Sequence, residues 1–171
     1  MIVSQKSYAP CPEGIHAAVC VDVVDLGMEE NQWGSQHKCR LTWEIGAVME
    51  DGRRFTASKK YTVSLHEKST LFKDLKAWRG RPFTAQELAG FDLDKVLGAP
   101  CQLVITHEEK DGKVYGNITA LLKADPKNIL QPSGKFVRAK DREGYVAPKS
   151  IAPVEEEQPP AQNQDDDNVP F

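Results

Sequence analysis

Lys38 and Arg40, Arg53 and Arg54, and Lys59 and Lys60 place six cations close together in the chain. Charges repeated at this spacing suit a polyanion better than a single small acid. Aromatic rings stand among and beyond them. Trp33 sits in a polar segment next to Gly34, Tyr61 follows the lysine pair, and Tyr115 comes two positions after Lys113. Such rings offer flat faces to planar partners. Other chemistries lack their parts. Glu108 and Glu109 are neighbours, so a strand would point them to opposite sides. Asp92 and Asp94 suit the start of a helical turn, where carboxylates meet the positive end of the dipole. No Gly-rich phosphate loop and no nucleophile-base arrangement is present, so no enzyme and no cofactor are expected. Cys11, His16, His37 and Cys39 match no zinc-ligand spacing. With Cys20 and Cys101 making four cysteines and no CxxC pair, buried thiols are expected and metal sites are not.

The elements that must position these residues follow from periodicity. Alternation begins at Gly14 and predicts a long first strand. Ile15, Ala17, Val19, Val21 and Val23 share one face, and His16, Ala18, Cys20, Asp22 and Val24 the other. A polar loop is expected over 27–35. Residues 37–45 give the cleanest alternation, with Cys39, Leu41, Trp43 and Ile45 inward and Lys38, Arg40, Thr42 and Glu44 outward. Asp51-Gly52 is a hairpin signal before a third strand over 54–63. Here Phe55 and Tyr61 fall on a face with Ala57 and Val63, although Tyr61 keeps a polar tip for a groove edge. Ser69 can cap a helix carrying Leu71, Leu75 and Trp78 and stopping at Gly80. Thr84 and Glu87 form a capping-box pattern, and 92–97 a further turn. Strands resume over 101–108 and 114–122. The order strand, strand, strand, helix, strand, strand is that of the OB-fold, a five-stranded barrel with its helix between strands three and four. A five-stranded sandwich or an SH3-like barrel is the alternative. A mainly β domain over 1–124 is expected, followed by a disordered tail over 125–171.

Charge divides along the same line. All 22 Lys and Arg precede residue 151, against 19 acids, which leaves +3; the six remaining acids give the last segment −6. A basic body with an acidic end points to a polyanion ligand and a partner-seeking tail. No apolar run is long enough to span a membrane, and no signal pattern opens the chain, so a cytoplasmic protein is expected.

The end itself is distinctive: Asp165, Asp166, Asp167, Asn168, Val169, Pro170, Phe171. It resembles the acidic tip of bacterial single-stranded DNA-binding proteins, which close on Asp-Asp-Asp-Ile-Pro-Phe, with Asn-Val here in place of Ile. The body resembles phage-encoded OB-fold single-stranded DNA-binding proteins over about residues 14–122. The likeness lies in Lys59-Lys60-Tyr61-Thr62-Val63-Ser64-Leu65-His66-Glu67-Lys68-Ser69, Lys73-Asp74-Leu75, Trp78-Arg79-Gly80 and Phe83-Thr84. It continues in Gly98-Ala99-Pro100-Cys101 and Gly112-Lys113-Val114-Tyr115-Gly116-Asn117-Ile118. The resemblance implies a protein that coats single-stranded DNA in phage replication, recombination or repair, in the host cytoplasm. Through Asp165, Asp166, Asp167, Val169, Pro170 and Phe171 it would recruit replication, recombination and repair proteins. Sequence-tolerant binding needs cations for the backbone and rings for the bases. The expected contacts are Trp33, Lys38, Arg40, Arg53, Arg54, Lys59, Lys60, Tyr61, Lys113 and Tyr115. Homo-oligomerisation is left open. An adaptor that presents the tip without binding DNA is the alternative.

Overall fold

The computed structural model describes residues 10–145. Five antiparallel strands form one sheet in the order β3-β2-β1-β4-β5. They are β1 (Gly14–Asn31), β2 (Gly34–Val48), β3 (Arg54–Thr62), β4 (Pro100–Lys110) and β5 (Lys113–Lys123). β1 is the shared strand: Gly14 to Val19 pair with β4, and most of its length, from Ala18 to Asn31, with β2. β3 and β5, the two ends of the order, approach each other, and helix α1 (Thr70–Arg79) packs against both. This is the five-stranded OB-fold barrel, with its helical insertion between strands three and four.

Local chemistry fixes that insertion. The Ser69 hydroxyl accepts the Phe72 N–H at 3.1 Å, and Gly80 ends α1 with φ 70°, a conformation that favours glycine. Thr84 and Glu87 close a capping box on the short helix α2 (Ala85–Ala89). The core lies between the insertion and the inner sheet face. Leu41, Trp43 and Ile45 of β2 meet Leu71, Leu75 and Trp78 of α1 and Leu103 and Ile105 of β4. The Trp43 and Trp78 rings lie 5.8 Å apart, and Trp78 donates its indole N–H to the Pro100 carbonyl at 2.8 Å.

β1 departs from strict alternation. Cys20 pairs with Trp43 but Asp22 with Thr42, so Val21 is an extra residue in a β-bulge. The bulge exchanges the faces. Ala18 and Cys20 point into the core before it and Val23 does so after it, while Ile15 is 65% exposed. The single apolar face expected from Ile15 to Val23 therefore does not exist. A second bulge between Asp25 and Gly27 lets the ladder run on to Asn31 and Gly34. The loop expected over 27–35 shrinks to the turn at Gln32 and Trp33, because its polar residues pair through backbone rather than by burying side chains.

The tail also begins later than composition suggests. Residues 131–145 lie as a strap across the outer sheet face. Arg54 of β3 donates to the Gln131 carbonyl. Ser133 donates its N–H and hydroxyl to the Glu44 carboxylate at 3.0 and 2.6 Å. Arg138 Nε and the Ala139 N–H reach the Asp22 carboxylate at 3.1 and 2.8 Å. The last residues, 146–171, and the first nine lie outside the described residues, and the tip from Asp165 to Phe171 with them. No helix of the described residues is long and apolar enough to cross a membrane.

Candidate nucleic-acid interface

The outer faces of β2 and β3 carry the cations. Register sets Lys38 opposite Thr62, Arg40 opposite Lys60, Thr42 opposite Ser58 and Glu44 opposite Thr56. Lys38 Nζ bonds the Gln36 amide oxygen at 2.9 Å and the Thr62 hydroxyl, which holds its charge on the surface without neutralising it. Lys60 reaches Glu29 of β1 at 2.6 Å. The Arg40 side chain makes no hydrogen bond or ion pair with any described residue. Like charges directly opposite on a ladder are destabilising, so the Arg40–Lys60 pair costs the sheet whatever the Glu29 carboxylate on Lys60 does not offset.

The other expected contacts separate. Arg53 lies at the β2–β3 turn and pairs with Asp51, whose carboxyl the guanidinium and the Arg53 N–H hold below its usual range. Arg54 is drawn under the strap, 3.8 Å from Glu44. Lys59 is not on the outer face. Its parity is that of Ala57 and Tyr61, and its ammonium reaches Asp74 of α1 at 2.7 Å. Tyr61 is 2% exposed and donates its hydroxyl to the same carboxylate oxygen at 2.8 Å. Burial beside Asp74 pushes the phenol well above its ordinary range. Tyr61 presents no surface to a ligand, and the half-buried Lys59 has its ammonium already paired. The Lys59 expectation rested on adjacency to Lys60, and a strand sends adjacent residues to opposite faces; Tyr61 is buried with its apolar face, and the polar tip expected at a groove edge bonds Asp74 instead.

Two rings remain accessible. Trp33 is 81% exposed at the tip of the β1–β2 hairpin, its backbone N–H held by the Asn31 side chain. Tyr115 is 49% exposed on the outer face of the β4–β5 hairpin, opposite Glu108, with Lys113 one pair from it along the same face, opposite Lys110. Register puts these rings beyond opposite ends of β1, because Gly14 pairs with Ile105 while Asn31 pairs with Gly34. OB-folds bind oligonucleotides with the strand 2–3 face and these two hairpin loops. The structure thus brings together Lys38, Arg40 and Lys60, and sets Trp33, Lys113 and Tyr115 on the flanking hairpins.

Sequence reading missed Asp22, Glu44 and the strap. Asp22 and Glu44 are 2% and 4% exposed although they point outward. An acid on each of two adjacent strands, at positions where both face one way, was the available signal. Its counterpart was the apolar Leu130, Phe136 and Val137 within an otherwise basic run. Among the described residues no three His, Cys, Asp or Glu side chains converge as metal ligands. No protein-family model matches the chain, and no curated protein matches it.

Proposed function

We propose that this is a non-enzymatic, sequence-tolerant single-stranded DNA-binding protein. It coats and protects transient single strands during phage replication, recombination or repair in the host cytoplasm. The acidic tip, Asp165 to Phe171, recruits the proteins that act on those strands, its ring and terminal carboxylate serving as the anchor. One observation carries the reading: Arg40 and Lys60 are held face to face on the outer β2–β3 surface, with Arg40 unpaired among the described residues. A cost of that kind is recovered when phosphates pass over both cations. The exposed Trp33 supplies a stacking face beside it in the chain.

A second reading draws on the acids that already answer Arg53, Arg54, Lys59 and Lys60. That neutralisation favours an adaptor, an OB-fold body that presents the tip to replication and repair proteins without holding DNA itself. Titration of tryptophan fluorescence with oligo-dT of several lengths decides between them. Quenching that saturates at a defined number of nucleotides per protein supports the first reading. No quenching and no retarded complex at micromolar protein in dilute buffer removes it.

A further inference from the structure

The outer sheet face is partly acidic by its own strands. Asp22 of β1 and Glu44 of β2 point the same way as Arg40, and Glu44 is the next outward residue but one along β2, with Thr42 between. Bare, both carboxylates would repel a phosphate backbone. The strap removes them from solvent and gives each its donors, Arg138 and Ala139 for Asp22, and Ser133 for Glu44. Buried carboxylates need such partners, since unpaired they would be strongly destabilising. The strap also carries four cations, Lys135, Arg138, Lys140 and Arg142, and two acids, Asp141 and Glu143. Lys135 and Lys140 are exposed, and Arg142 stands 5.4 Å over the Phe136 ring.

We propose that residues 131–145 form one wall of the nucleic-acid groove: they screen Asp22 and Glu44 from the phosphates, and Lys135 and Lys140 contact the backbone. The exposed Ser58, its hydroxyl 2.8 Å from that of the buried Thr42, is the floor, and Arg40 with Lys60 the far side. Arg138 is a positioning residue in this arrangement, because its guanidinium is turned to Asp22 and not to the ligand. The sign of the charges separates this wall from a self-inhibitory strap. A strap competing with DNA would, on leaving, improve binding; a screening strap would worsen it by baring two carboxylates. The proposal rests on the DNA-binding reading.

Full-length wild type, Arg138→Gln, Asp22→Asn/Arg138→Gln and Lys135→Gln/Lys140→Gln are titrated with labelled oligo-dT across a salt series. Arg138→Gln is expected to bind on the order of tenfold more weakly, with a charge left facing phosphates. Adding Asp22→Asn restores affinity to within about twofold of wild type, because the offending charge is gone. Lys135→Gln/Lys140→Gln lowers the slope of log K against log salt by about 1.4, which is two single-strand phosphates at about 0.7 each. Tighter binding by Arg138→Gln, or no recovery in the double variant, overturns the screen. An unchanged slope in the lysine variant overturns the wall, and that variant serves even where Arg138→Gln does not fold. Wild type that ignores oligo-dT at low salt overturns the DNA-binding reading itself, before any variant is compared.

Discussion

The Tyr61 hydroxyl donates to Asp74 Oδ2 at 2.8 Å, and this bond ties β3 to α1 beneath the barrel surface. Lys59 shares that oxygen, so the carboxylate closes a small half-buried network. Tyr61→Phe removes one donor and leaves the lysine. Unfolding in urea should show a loss of about 1 kcal/mol, the usual net worth of an internal hydrogen bond. Oligo-dT affinity should not change, because the ring is 2% exposed. A large loss of affinity in a fully folded Tyr61→Phe would place the ligand against the inner edge of β3 instead.

Arg40→Ala carries the opposite signature. It relieves the like-charge pair with Lys60, so stability should hold or rise slightly. Binding should weaken, and the salt slope should fall by about 0.7, the share of a single phosphate no longer neutralised. Melts and titrations on the same preparation read both effects.

Trp33→Ala should leave stability within about 0.5 kcal/mol, as expected of an exposed hairpin tip. Affinity should fall by about 1–3 kcal/mol if a base stacks on this ring. Trp43 and Trp78 are 0% and 2% exposed, so ligand-dependent quenching should vanish with Trp33 alone.

Acid should loosen the insertion. The Arg79 guanidinium, with help from the Thr84 N–H, holds the Glu87 carboxyl below its usual 4.5. A depressed folded value means the stabilisation is complete above about pH 4.5 and fades as pH falls through the folded value. Stability measured from pH 7 down to pH 3 should therefore decline less in Glu87→Gln than in wild type. Equal slopes in the two proteins would show that the capping box gains nothing from the charge.

The thiols should be silent in the native state. Burial pushes Cys11 and Cys39 up to about 11 and Cys20 up to about 12, and raises Cys101 as well. Thiolate is the reactive form, so a chromogenic thiol reagent should titrate none of the four until denaturant is added. Rapid reaction of one cysteine in folded protein would reveal local opening around it.

Strand count, the inner face of β2, both helix caps and the helix position are legible in the sequence, because alternation and capping are short-range properties. Ser69, Gly80, Thr84 and Glu87 each act within four residues. The face of β1 is not legible, since the bulge at Val21 shows only in the pairing with β2, just beyond the end of the β4 ladder at Val19. Lys59 and Lys60 read as one basic dipeptide although their side chains part at the backbone. The strap escapes for a different reason. Its anchors, Asp22 with Arg138 and Glu44 with Ser133, lie 116 and 89 residues apart, and composition cannot see a contact of that range.

Val21 gives the strand its phase. Were Val21 to take a partner of its own, so that the bulge vanished, each side chain from Asp22 onward would trade indoors for outdoors against an unchanged β2. Asp22 would be delivered to the greasy interior, Val23 to water, and Arg138 would grip nothing. The bulge at a single valine therefore sets, at a distance, which charges this barrel shows to its surroundings.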